Sequence, residues 1–172
     1  MNLKPIIVST LCLMFLNLSA QKFYHTVGAQ YLQSTGSYGN YDRLSIQAAP
    51  QLHFEKKSLI YGLAMPITMG VITSSSRSEG LTVMEVPLML ELGYNPNAPC
   101  VNYQSMSFFA GAGMSKQVLP VLADQQALYY NAVLGWRFII RNVPFELRLT
   151  GSKPFINTSS QYRIGYSIAT AL

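Results

Sequence analysis

From Phe23 onward the chain alternates bulky apolar residues with small or polar ones, position by position. Leu44, Ile46, Ala48, Pro50, Leu52 and Phe54 share one parity, and Arg43, Ser45, Gln47, Gln51, His53 and Glu55 share the other. The pattern returns with Leu59, Tyr61, Leu63, Met65, Ile67, Met69 and Val71 against Gly62, Ala64, Thr68 and Gly70. It returns again with Met84, Val86, Leu88, Leu90, Leu92 and Tyr94 against Glu85, Glu91 and Gly93. A period of two belongs to extended chain, whose successive side chains point to opposite faces. At helical spacing Leu88, Leu90 and Leu92 would scatter around a cylinder. Eight such segments predict eight strands. Beside these three they are Phe23–Ser34, Met106–Ser115, Leu128–Arg141, Val143–Ser152 and Gln161–Leu172.

Which face meets which solvent decides the class. A soluble barrel puts its apolar face inside, and an outer-membrane barrel puts it outside. Here the polar face is mostly Gly, Ala, Ser and Thr with a few charges, which suits a narrow lumen. The apolar face is Leu, Ile, Met, Phe, Tyr and Trp, which suits lipid. Only 11% of the residues are charged, against about 25% in an average soluble protein. The pattern therefore predicts an all-β protein, an eight-stranded antiparallel up-and-down transmembrane β-barrel. The net charge of +5 does not mark a nucleic-acid binder. A phosphate-tracking surface needs clustered cations, and the longest basic run is Lys56-Lys57.

The strand charges carry the same message. Glu85, Glu91, Arg137, Arg141, Glu146, Arg148 and Arg163 all have polar-face parity. In lipid each would cost about 2–4 kcal/mol at the bilayer midplane. Inside a barrel they can neutralise one another, provided they are paired and hydrogen-bonded. They form the candidate lumen charge network. An ion pathway or proton relay is the competing use, and side chains filling a narrow lumen favour a structural plug.

Residues 1–20 read as an export signal: Lys4, an apolar run from Ile6 to Leu16, then Ser19-Ala20 before Gln21. The expected organisation is a signal peptide over 1–20 and one barrel domain over 21–172. Removal of the signal leaves one cysteine, Cys100, so no internal disulfide frames the mature fold. A link to another chain and an idle thiol both remain open for it.

With both termini in the periplasm, the odd-numbered connections are external and should be the long ones. They are Thr35–Tyr41, Thr73–Gly80, Lys116–Gln126 and Lys153–Ser160, while Glu55–Lys57 and Arg141–Asn142 are tight. Asn95–Gln104 is long for a periplasmic turn. Tyr31, Phe54, Tyr61, Tyr94, Tyr130, Tyr162 and Phe145 lie near strand ends, where interfacial aromatic belts form. Pro50, Pro66 and Pro87 fall inside strands and each removes a ladder donor. Val118, Leu119, Val121 and Leu122 give one external loop an apolar centre. Three readings stand for it: a partner-docking loop, a segment dipping into the membrane surface, or an extension of the fifth strand.

From Gln21 to Leu172 the chain resembles the small outer-membrane β-barrels of Gram-negative bacteria, typified by the transmembrane domain of outer membrane protein A and by PorT-like barrels. The phrases that carry the resemblance are Val86-Pro87-Leu88-Met89-Leu90-Glu91-Leu92-Gly93-Tyr94 and Phe108-Phe109-Ala110-Gly111-Ala112-Gly113. The closing strand, from Arg163 to Leu172, is similar to the C-terminal assembly signal of such barrels, although the family usually ends on an aromatic residue. The resemblance implies the outer membrane as location, and the lipid bilayer and the barrel-assembly machinery as partners. The family includes adhesins, structural proteins, lipid-modifying enzymes and machine subunits, so it does not by itself give a function.

The residues offer little chemistry. His25 and His53 have no Ser and carboxylate near them in sequence, as a nucleophilic triad would need in space. One Cys and two separated His make no metal-ligand spacing, and no phosphate loop or dinucleotide fingerprint is present. The expectation is a non-enzymatic integral barrel, without cofactor, metal or nucleic-acid partner. Its expected role in the envelope is structural or interactive, as an accessory subunit that meets an envelope protein partner. The rivals are a membrane-embedded lipid-modifying hydrolase, a secreted soluble barrel holding a hydrophobic ligand, and a passive pore.

Overall fold

The computed structural model describes residues 21–35, 41–56, 58–74, 77–96, 106–119, 128–155 and 162–171. The strands are β1 (Gln21–Thr35), β2 (Tyr41–Lys56), β3 (Leu59–Ala64), β4 (Ile67–Ser74), β5 (Arg77–Tyr94), β6 (Ser107–Leu119), β7 (Leu128–Ile140), β8 (Val143–Pro154) and β9 (Tyr162–Ala171). All pairings are antiparallel and, β3 and β4 apart, join sequence neighbours; β1 also pairs with β9, from Thr26↔Ala171 to Thr35↔Tyr162. The sheet thus closes on itself and leaves no edge, the arrangement that satisfies every strand in lipid. Strands β3 and β4 lie end to end between β2 and β5, so the wall has eight strand positions.

Prolines explain the split. The pairs Gln51↔Ala64 and Ala48↔Ile67 keep one register on either side of the break, as do Ala64↔Met89 and Thr68↔Glu85. Carried through the gap, these registers set Pro66 directly opposite Pro87, and Met65 opposite Pro50. Met65 N donates to Pro50 O at 3.0 Å, so the alternating ladder turns Pro66 toward β5. The missing donors of Pro66 and Pro87 thus fall at a single pair, and the interruption stays local. The register does not slip. Next to it Ile67 N donates to Met65 O at 2.8 Å, a local turn that closes the gap.

The connections differ from expectation in two places. Thr73 to Gly80 reads as a loop, but β4 runs to Ser74 and β5 starts at Arg77. Polar residues there continue the wall. The fifth strand of the sequence reading likewise extends, as β6, to Leu119. Arg141 and Asn142 form a two-residue turn with φ of 51° and 67°. Positive φ at both central positions matches the twist of the flanking strands. The start of β1, the end of β9, this turn and Ser58 share one end of the barrel, here the terminal end. Strands β1, β4, β6 and β8 end at the opposite, distal end.

Burial follows the alternation. Leu44, Ile46 and Leu90 are 67%, 70% and 67% exposed, whereas Glu146, Arg163 and Gln47 are 1%, 2% and 2% exposed. The bulky apolar residues form the outside. Among the described side chains, the charges of outward parity are Asp42, Lys116 and Lys153, all near distal strand ends. Asp42 accepts a hydrogen bond from the Tyr31 hydroxyl at 2.7 Å. Aromatic rings gather at both ends. Phe108, Trp136, Phe138 and Phe145 form a chain of contacts near the terminal end. Tyr31 meets Tyr166, and Tyr130 meets Phe155, near the distal end. Two rings of aromatics around an apolar band are the lipid-facing signature of a membrane barrel.

The barrel lumen as candidate functional site

Long polar side chains reach the lumen because every second residue of each strand must point there. They meet in two groups. Toward the terminal end, β5 supplies Glu91, β7 supplies Arg137, and β8 supplies Glu146 and Arg148. Arg137 lies 3.1 Å from Glu91 and 2.7 Å from Glu146. Arg148 lies 2.6 Å from Glu91 and also pairs with Glu146 through its Nε. Each carboxylate touches both guanidiniums, closing a four-membered ring of ion pairs. Gln51 from β2 donates to Glu146 at 3.1 Å and accepts from Arg137 at 3.1 Å. An opposite charge on two sides of every member is what makes so many buried charges tolerable.

Phe109 forms the floor of this ring. The guanidinium of Arg137 sits 4.0 Å from its centroid and that of Arg148 sits 5.0 Å away, both within cation–π range. The phenyl ring fits because residue 135 on β7 has no side chain. A Cβ at Gly135 would come within 2.0 Å of Phe109 Cζ. By sequence the inward glycines are small lumen residues in general. Gly135 has this particular aromatic partner.

The second group lies toward the distal end and is built differently. Glu85 from β5 lies 2.7 Å from Arg43 and 3.5 Å from Arg163, and it accepts a short hydrogen bond from Ser115. Arg43 also donates to Gln30 at 3.0 Å. Arg163 donates to Gln117 at 3.2 Å and to the Tyr129 hydroxyl. Its guanidinium stands 3.5 Å from the Tyr129 ring centroid. One carboxylate here serves two guanidiniums.

The placement of the sequence candidates is therefore clear. Glu85, Glu91, Arg137, Glu146, Arg148 and Arg163 come together in the lumen, in two separate groups. Arg141, expected with them, stands exposed in the turn between β7 and β8, because the strand ends one residue before it. Arg43 is the member the candidate network lacked, although it shares the inward parity of Gln47 and Gln51. Val118 is exposed on β6, with 44% of its surface accessible, and Leu119 pairs with Met84. Val121, Leu122 and Cys100 lie outside the described residues, as does the segment 1–20 read as a signal.

The histidines part company. His25 is exposed on the outer face, with its ring edge-on to Phe23 at 4.7 Å. His53 is buried in the lumen, 3.7 Å from Glu91 and 3.4 Å from Arg137 Nη2. Its surroundings are those of a side chain packed against the ion-pair ring. Among the described residues, no group of three or more His, Cys, Asp or Glu side chains is placed to hold a metal ion.

No protein-family model and no curated protein matches the sequence. Solved structures do. The crystal structure of the outer membrane protein OprG from Pseudomonas aeruginosa aligns at 9% identity over 90% of this chain and 94% of that chain, with a TM-score of 0.50. The crystal structure of Ail, the attachment invasion locus protein of Yersinia pestis, aligns at 8% identity over 89% of this chain and 99% of that chain, with a TM-score of 0.27. At such identities the likeness to OprG speaks of fold alone, and it agrees with the closed wall, the outward apolar band and the charged interior. The chain has the fold of the small eight-stranded outer-membrane β-barrels.

Proposed function

We propose that the protein is a non-enzymatic integral component of a Gram-negative outer membrane, with a structural or protein-interaction role as an accessory subunit of a larger envelope complex. The distribution of side chains carries this reading. The outside is a belt of Leu, Ile, Phe and Tyr that needs lipid, and the inside is filled by ion pairs between strands. A lumen plugged by salt bridges supports a structural role over a pore. The periplasmic side is assigned to the terminal end, as the export signal implies, and the barrel-assembly machinery inserts the wall. The distal end then faces outward and carries the apolar end of β6, with Val118, ahead of the segment that contains Val121 and Leu122.

The test starts from the full chain expressed in a Gram-negative host. The expected result is retention in the outer membrane after alkaline carbonate, with a mobility shift between unboiled and boiled gel samples. A soluble, unshifted protein would overturn the membrane assignment. A photo-crosslinker at Val118 should yield a discrete adduct with an envelope protein, while one at Ile46 should label lipid only. Lipid-only labelling at both positions would remove the interaction role and leave the structural one.

A further inference from the structure

Between the two charge groups the lumen keeps a cavity of about 30 Å³, with space for about one or two water-sized particles. We propose that it is a binding site for one small monovalent anion of halide size. Four residues from three strands, β2, β4 and β8, bring unused hydrogen-bond donors to its wall. Arg43 Nε, Gln47 Nε2, Thr68 Oγ1 and Arg148 Nη2 have no partner, and all four residues line the cavity. They are 3%, 2%, 2% and 3% exposed, so solvent does not satisfy them. Gln47 and Thr68 sit directly opposite each other on β2 and β4, which focuses two of the donors on one spot.

A buried donor left unsatisfied costs about 1–3 kcal/mol. Against these four, the unpartnered acceptors lining the cavity among the described residues are Gln47 Oε1 and the Thr68 hydroxyl, which can also accept, so donors outnumber acceptors. A water donates as many hydrogen bonds as it accepts and matches this wall poorly. The one carboxylate on the wall, Glu85, is already held by Arg43, Arg163 and Ser115, which disfavours a cation. An anion accepts from all sides and matches it well.

Charge points the same way. Among the described side chains buried in the lumen, Arg43, Arg137, Arg148 and Arg163 face Glu85, Glu91 and Glu146. The excess is one positive charge. Two of these arginines, one from each group, line the cavity together with one carboxylate, Glu85, so the wall itself carries the single excess positive charge and an anion there neutralises it. The rest of the wall includes the rings of Pro66 and Pro87, which contribute no N–H and leave apolar surface suited to a large, weakly hydrated ion. The volume admits a single halide and excludes carboxylate metabolites.

The test uses the full chain extracted from membranes in detergent. Crystals grown in sodium bromide should show one anomalous peak in the cavity, within hydrogen-bond reach of Gln47 and Arg148. In solution, replacing gluconate by chloride at constant ionic strength should raise the unfolding midpoint in a saturable way. Thr68→Val keeps the volume, removes one donor, and should weaken the half-saturating chloride concentration about two- to tenfold. Gln47→Leu should abolish the chloride effect; if it does not fold, Thr68→Val carries the test alone. No anomalous peak, or a midpoint identical in the two salts, overturns the proposal. A bromide peak without any chloride dependence in solution marks an adventitious ion only and overturns it as well.

Discussion

The two charge groups in the lumen hold the same kinds of side chain under different accounts of charge. Near the terminal end two carboxylates meet two guanidiniums, and every member has two opposite partners. Near the distal end Glu85 alone meets Arg43 and Arg163. The first group is redundant, because any one member can be lost and each survivor keeps an ionic partner. The second hangs on a single carboxylate. Redundancy therefore matters more to tolerance than the number of salt bridges, since the large penalty arises when a buried charge loses its last partner.

Glu85→Gln is the substitution that should break this comparison open. It strands two buried guanidiniums at once, and the expected loss is about 3–5 kcal/mol. The chain's one tryptophan, Trp136, provides a built-in fluorescence reporter for denaturant unfolding. A loss no larger than that of a terminal-group variant would mean that the distal arginines have other means of compensation. Next in size is a charge on the wrong face. Leu90 is 67% exposed on β5, one residue before Glu91. Leu90→Arg places a guanidinium in lipid beside a strand position that welcomes charge inward. It should cost about 2–4 kcal/mol in a bilayer, and much less in the same assay on Leu59→Arg at the terminal end. Equal effects at both positions would move the membrane midplane away from Leu90.

Glu146→Gln should cost less, about 1–3 kcal/mol. It leaves Arg137 at 3.1 Å and Arg148 at 2.6 Å from Glu91. The terminal group then has the composition the distal group has naturally: one carboxylate between two guanidiniums. If Glu146→Gln proves as damaging as Glu85→Gln by urea or guanidinium midpoint, redundancy is not what separates the two groups.

The alternation of faces was legible in the sequence because it is local: parity alone places Leu90 outside and Glu91 inside. Charge grouping was legible in part. Six of the expected side chains meet in the lumen, since inward parity on a narrow barrel leaves them nowhere else to go. Their division into two groups depends on strand stagger, which no single segment encodes. Arg141 has the right parity but stands one residue past the end of β7, and a boundary error of one residue moves a side chain from lumen to water. The same is true of Thr73 to Gly80. Polar strand ends that rise above the lipid have loop-like composition, so the pattern shortens β4 and β5. Pro66 and Pro87 look like two separate defects in sequence. Only the register between strands shows that they face each other and share one gap.

The smallest effect should come from Arg163→Gln, and its smallness is informative. Arg163 is 2% exposed and has Glu85, Gln117 and Tyr129 as partners. Counting contacts alone would rank it with Glu85. Charge counting ranks it far lower, because its removal leaves Glu85 paired one to one with Arg43 at 2.7 Å. The lumen then has three guanidiniums for three carboxylates. A glutamine keeps an amide that can still meet Gln117 or the Tyr129 hydroxyl. The expected loss is below about 1 kcal/mol, read from the denaturant midpoint with an unchanged slope. The same variant should also lose most of its chloride dependence, since the excess charge is gone while the donors of Gln47 and Thr68 remain. A loss as large as that of Glu85→Gln would show that the guanidinium is held for its packing against Tyr129 rather than for its charge. Distal asymmetry would then be a matter of shape, and Arg163→Met, which retains apolar bulk, would tell the two apart.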